Sequence, residues 1–269
     1  MVLQKIREVA RKVESRTLEA TQKREEGKLV QVATQVVERL GAALAALREG
    51  QLDQAKALLA EARELVAQLQ ETHEGVAALP FQVRVYQVAL VSDPEVAKDL
   101  LARARQALDE GNVPLARILI NRLRNEIVVD TDLIPLNVLV HTLDLAQSML
   151  DRGNVAGAIS ALALLDTAIE RVQTIIPRPL MEAFYLIEEI RKLDPKEDQA
   201  IILELIKLVR QKVELSQVLG YLRDEDVVKS LLEQIEKVEK AAQQEQEQDQ
   251  QLADLQEALD AAREKEKAQ

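Results

Sequence analysis

Asp109-Glu110-Gly111-Asn112-Val113-Pro114-Leu115-Ala116 closes one helix and opens the next within a single short stretch. Gly111 can take the left-handed conformation that ends a helix without a Cβ penalty. Pro114 fits the first turn of the following helix, where its missing N–H costs nothing. The same arrangement occurs twice more. Arg48-Glu49-Gly50-Gln51 leads into Leu52-Asp53-Gln54-Ala55, and Asp151-Arg152-Gly153-Asn154 leads into Val155-Ala156-Gly157-Ala158. Each time an alanine follows the glycine by five positions (Ala55, Ala116, Ala158), small enough to sit where two helices cross closely. The three stretches predict three helical hairpins. Their glycines are 61 and 42 residues apart, which is not the fixed period of about 34 residues of a tetratricopeptide array. The hairpins are loosely repeated, not a regular solenoid.

Around these hairpins the helical rhythm continues. Leu3, Ile6, Val9, Ala10 and Val13 share one face of an opening amphipathic helix that Gly27 interrupts. Asp93-Pro94-Glu95 reads as a capped helix start. A helix is expected from Pro135 to Leu150, another from Val155 to about Ile176, and others through Phe184 to Ile190, from Ile201 to Leu222, and after Asp226. Two stretches read as extended. Phe81 to Tyr86 alternates apolar with polar residues after Pro80, and Ile127 to Ile134 is β-branched and ends at Pro135. They could pair as one short two-stranded ribbon. The fold class is therefore all-α, a multi-helix bundle of helical hairpins with at most that one β element. In three parts, residues 1–28 form an N-terminal amphipathic helix, 29–238 the hairpin core, and 239–269 a Gln/Glu-rich helical or frayed tail.

Composition agrees. Apolar residues make up 47% of the 269 residues but aromatics only 2%, with no Trp. A Leu, Val, Ile and Ala interior suits closely packed helices and is poor material for a β-sandwich. The net charge of −11 argues against nucleic acid and anionic membrane surfaces as partners. Residues 1–28 carry +3 and residues 239–269 carry −5, so pairing of the two ends is a weak expectation. Without Cys there is no disulfide, thiolate nucleophile or Cys-ligated metal. No apolar run is long enough to span a membrane. The N-terminus shows no secretory signal, so the chain as it stands reads as cytoplasmic, or as periplasmic if it is a trimmed mature form.

The block from Leu79-Pro80 through Leu108-Asp109-Glu110-Gly111, then Val128-Val129-Asp130-Thr131, Leu133-Ile134-Pro135-Leu136 and Leu150-Asp151-Arg152-Gly153, resembles the YfdX family of bacterial proteins over roughly residues 30–190. The resemblance implies a mostly helical, oligomeric protein, linked to stress, with chaperone-like or small-molecule binding suggested. Its motifs are structural, not catalytic.

Chemistry is sparse. His73, at a helix end, reads as a cap. His141, with Asp144 three residues on, reads either as a partly buried helix histidine or as half of a pH-sensing pair. Asp130 with Asp132, Glu188 with Glu189, and Asp224-Glu225-Asp226 could do acid–base work or bind calcium, but each sits where a solvated face or helix cap is the default. No metalloprotease, phosphate-loop or nucleophile-elbow motif occurs. Tyr86, His141, Phe184 and Tyr185 are the candidate contacts for a ligand or partner. The expectation is a non-enzymatic homo-oligomer, dimer or tetramer, without cofactor or metal. It would bind protein clients through apolar surfaces or, alternatively, hold a small apolar ligand between hairpins.

Overall fold

The computed structural model describes residues 2–244 and 248–267, with side chains as far as residue 263. The chain runs α1 (Val2–Glu26), α2 (Gln31–Arg48), α3 (Leu52–Thr72), β1 (Ala78–Ala89), α4 (Pro94–Asp109), α5 (Val113–Asn121) and β2 (Asn125–Pro135). It continues with α6 (Leu136–Asp151), α7 (Val155–Ala163), β3 (Glu170–Pro177), α8 (Arg178–Ile190), α9 (Gln199–Val218), α10 (Glu225–Gln243) and α11 (Asp249–Lys267).

The three hairpins fold as their sequences predict. Gly50, Gly111 and Gly153 all have φ between 72° and 78°. Beyond each glycine, the N–H of Gln51, Asn112 or Asn154 donates back to the carbonyl of Ala46, Ala107 or Met149 at 2.7–2.8 Å. That bond satisfies a carbonyl the helix end would otherwise leave open. The same asparagines then start the next helix. The Asn112 side-chain oxygen accepts from Leu115 N at 3.2 Å, and that of Asn154 from Gly157 N at 2.9 Å. Ala55, Ala116 and Ala158 are all buried at the crossings.

Two compact units result, each assembled from separate stretches of chain. One comprises Gln22–Val85 and Val129–Thr174; the other comprises Met1–Thr21, Tyr86–Val128 and Ile175–Gln269. The unit boundaries fall within α1 and within each strand. In the first unit the α2–α3 and α6–α7 hairpins share a core of Val36, Leu40, Leu59, Leu69, Leu139 and Leu143, closed by Leu79, Phe81 and Ile134 from the strands. In the second, Val13 of α1 packs with Ile187 of α8, Leu205 and Val209 of α9, Ile235 of α10, and Leu252, Leu255 and Leu259 of α11. Described residues of the Gln/Glu-rich tail thus include a packed helix; residues 245–247, 268 and 269 of that tail lie outside the described residues.

The β element is larger than the expected two-stranded ribbon. β1, β2 and β3 form a three-stranded antiparallel sheet with β2 in the centre. The helix expected from Val155 to Ile176 stops at Ala163, passes through a 3-10 turn at Leu164–Ala168, and becomes β3. Val172, Thr174, Ile175 and Ile176 are β-branched and favour the pleated conformation once β2 offers hydrogen-bonding partners. Side chains reinforce the pairing across the sheet. Asp132 of β2 is buried and ion-paired to Arg84 of β1 at 3.2 Å and to Arg171 of β3 at 2.7 Å. Gln173 donates to Asp130 at 2.8 Å.

Candidate functional site: the apolar face of the α4–α5 hairpin

The charged groups singled out from sequence are taken up mainly by structural pairing. Glu189 of α8 is held by Lys12 at 2.7 Å and Lys192 at 2.5 Å. Its burial would raise the carboxyl pKa, but hydrogen bonds and charge from those lysines outweigh this and hold it below the ordinary value. Glu188 pairs with Arg16. Lys12 and Arg16 of α1 thus find their acids on α8, and Lys5 finds Asp198 just before α9, rather than the acidic residues described beyond 239. Asp224 caps α10, accepting from the N–H groups of Asp226 and Val227. Asp132, expected on a solvated face or as a cap, is instead a buried bridge across the sheet.

Deeper in the same unit lies a buried ionic chain that sequence inspection did not find. Both carboxylate oxygens of buried Glu182 are taken by cations, Arg178 at 2.7 Å and Lys212 at 2.6 Å. Glu126 pairs with Arg124 and accepts from the Tyr221 hydroxyl at 3.3 Å. Burial pushes the Tyr221 phenol up to about 12, although its hydrogen bond from the Asn125 N–H opposes the shift. These partners are tens of residues apart in sequence, Arg178–Glu182 and Arg124–Glu126 excepted, so no local spacing announces them.

The four candidate contact residues do not form one site. His73 caps α3, its N–H donating to the Leu69 carbonyl at 2.9 Å. His141 is exposed on α6 instead of partly buried, and Asp144 pairs with Arg63 at 2.7 Å. Tyr86 is exposed on β1. Phe184 and Tyr185 are brought together edge-to-face at 5.4 Å, with Arg263 stacked over the first ring and Arg16 over the second. Those rings are half-buried fillers with cationic partners. Among the described residues no group of three or more His, Asp or Glu could hold a metal ion, and no helix is long and apolar enough to cross a membrane.

What stands out is a surface. Helices α4 and α5 pack against each other, with Ala104 and Ala107 buried on one and Ala116 and Leu119 on the other. Against α9 only a small cluster forms, Val91, Ala97 and Leu215 with Leu100, Leu123, Val218 and Leu219. Consequently Val96, Leu108, Val113, Leu115, Ile118 and Ile120 remain 41–54% exposed. The other two hairpins leave one large aliphatic side chain exposed each, Leu52 and Leu145. The difference lies in neighbours, not in composition alone. The nine residues of α5, VPLARILIN, are apolar nearly all round, and such a helix needs cover on more than one side. That all-round apolarity was the signal available in the sequence.

A hairpin-built helical protein with a small antiparallel sheet and an uncovered apolar hairpin is the class defined by this arrangement. The YfdX protein family model matches residues 36–174, just over half of the sequence. The chain belongs to the YfdX family. Among solved structures it is similar to a crystal structure of YfdX from Salmonella Typhi. That similarity has 17% sequence identity over 55% of this chain and 92% of the other, at a TM-score of 0.40. No curated protein matches it.

Proposed function

We propose that this protein is a non-enzymatic, self-associating binding protein that holds apolar segments of other proteins in a chaperone-like manner. The observation that carries the reading is the set of six half-exposed aliphatic residues on α4 and α5. Covering each would contribute about 1 kcal/mol from the area removed from water, enough for reversible capture and not for permanent attachment. The acidic remainder of the chain keeps a protein with such a surface soluble. Self-association is supported by β3, an edge strand whose Val172 and Ile175 are exposed.

The test uses the reduced insulin B chain, because a protein without Cys tolerates the reductant. Light scattering of the aggregating B chain is expected to fall as the protein is added stoichiometrically. The double variant Leu115→Ser, Ile118→Ser is expected to lose most of that protection while keeping its helical circular dichroism. Undiminished scattering with the wild type overturns the chaperone-like reading. Sedimentation at micromolar concentration tests self-association separately; a strict monomer removes that part.

A second reading, a small apolar ligand between hairpins, has one observation in its favour. A depression of about 410 Å³ between α3 and α6 is lined by Gln70, Val76, Ala77, Leu136, Asn137 and Val140. It is open to solvent, whereas small-molecule sites are mostly enclosed, so the hairpin surface is preferred. A fluorescent apolar probe displaced by Val140→Glu would favour the pocket.

A further inference from the structure

We propose that the α4–α5 face is selective for acidic amphipathic helices of partner proteins, a refinement that rests on the client-binding reading above. From Gly111 to Arg124 the chain contains Arg117, Arg122 and Arg124 and no acidic residue, although the protein as a whole carries −11. Arg124 is committed to Glu126. Arg117 and Arg122 are exposed on and beside α5, interleaved with the exposed aliphatics at helical spacing. Val113, Arg117 and Ile120 follow one another at i, i+4, i+7 along one flank; Leu115, Ile118 and Arg122 follow at i, i+3, i+7 along another. Each flank thus presents two aliphatic side chains and one guanidinium in register.

The complement of such a flank is a helix with apolar residues every three to four positions, bordered by Asp or Glu. Covering the aliphatic pair desolvates the neighbouring guanidinium, and a carboxylate meeting it there forms a stronger hydrogen bond than in open water. A second copy bound symmetrically through the α5 flanks fits poorly. Two-fold pairing sets a patch against itself, and residues 111–124 have no carboxylate to receive the other copy's arginines. The carboxylates of this hairpin belong to α4 and its end, where Glu95 is engaged by Lys98, Asp99 by Arg103 and Glu110 by Gln106. An anionic bilayer would meet the acidic remainder of the chain together with the patch.

The experiment measures fluorescence anisotropy of two labelled peptides with one apolar pattern, Leu at i, i+3, i+4 and i+7. One carries Glu at the flanking positions and the other Lys. The protein is expected to bind the Glu peptide about tenfold tighter than the Lys peptide, a gap of about 1.4 kcal/mol. That gap should shrink as salt screens it. Arg117→Glu with Arg122→Glu is expected to invert the preference at unchanged thermal stability, and Leu115→Ser with Ile118→Ser to weaken both peptides alike. Equal affinity for both peptides, still lost in the serine variant, overturns the charge selection and leaves the client-binding reading standing. Failure of both peptides together with undiminished B-chain aggregation overturns both. Self-association abolished by Ile118→Ser without peptide binding assigns the face to a second copy, and binding to phosphatidylserine vesicles in preference to the Glu peptide assigns it to a membrane; either overturns the proposal.

Discussion

At the residue scale, the backbone at Gly50 isolates one physical effect. Its φ is +78°, and a Cβ built there would meet nothing within 4 Å. Gly50→Ala therefore tests left-handed strain free of steric collision, and the expected loss is about 1 kcal/mol, read as a lower urea midpoint with unchanged slope. Gly157 is the opposite case. Its φ is ordinary, but an added Cβ would lie 2.5 Å from the Asn154 side chain that caps the same helix, so there a methyl group displaces the cap. Tyr221 gives a third residue-level result. With its phenol pushed up to about 12 by burial, it contributes stability in full below the ordinary tyrosine value near 10, and that contribution is lost as pH rises through the folded value. Absorbance near 295 nm at pH 11 is expected to show this tyrosine still protonated while the native state persists.

At the element scale, Ala158 lies fully buried where α7 crosses its neighbours in the first unit. Ala158→Leu should cost roughly 1–3 kcal/mol by overpacking a close crossing, measured by denaturant unfolding. This alanine and its counterparts Ala55 and Ala116 were legible in the sequence because a hairpin is a local object: a glycine stop, a cap and a small residue at fixed spacing. β3 was not legible. Residues 170–177 carry enough apolar character to continue a helix, and what makes them a strand is pairing with β2, roughly forty residues earlier. The α4–α5 surface falls between these cases. Its aliphatic residues were visible, but whether they are covered depends on how many other elements reach them, which local periodicity does not encode. Asp132 illustrates the same limit for charge: beside Asp130 it read as solvated, and only the arrival of Arg84 and Arg171 permits its burial.

At the scale of the whole molecule, ion pairs reinforce the apolar packing that attaches the N-terminal helix. α1 carries much of the excess positive charge of residues 1–28, and Lys12 and Arg16 hold Glu189 and Glu188. Because the Glu189 pKa is lowered in the folded state, its contribution is present above the ordinary carboxylate range. It is lost as pH falls through the lowered value. Glu189→Gln is therefore expected to be less stable than wild type at pH 7, with the difference vanishing in strong acid. Thermal melts across that window check it; a difference that persists unchanged at low pH would assign the loss to packing.

The division of each unit among distant stretches of chain has a consequence for birth on the ribosome. Val13 has its core partners at residues 180–262, so the apolar stripe of α1 leaves the exit tunnel well before the residues that cover it are made. The first unit can close once residue 174 has emerged, while α1 must wait for α8 to α11 to be translated. During that interval the nascent chain itself displays the kind of uncovered amphipathic helix that holding chaperones bind, and the order of synthesis, more than final stability, decides how long it stays exposed.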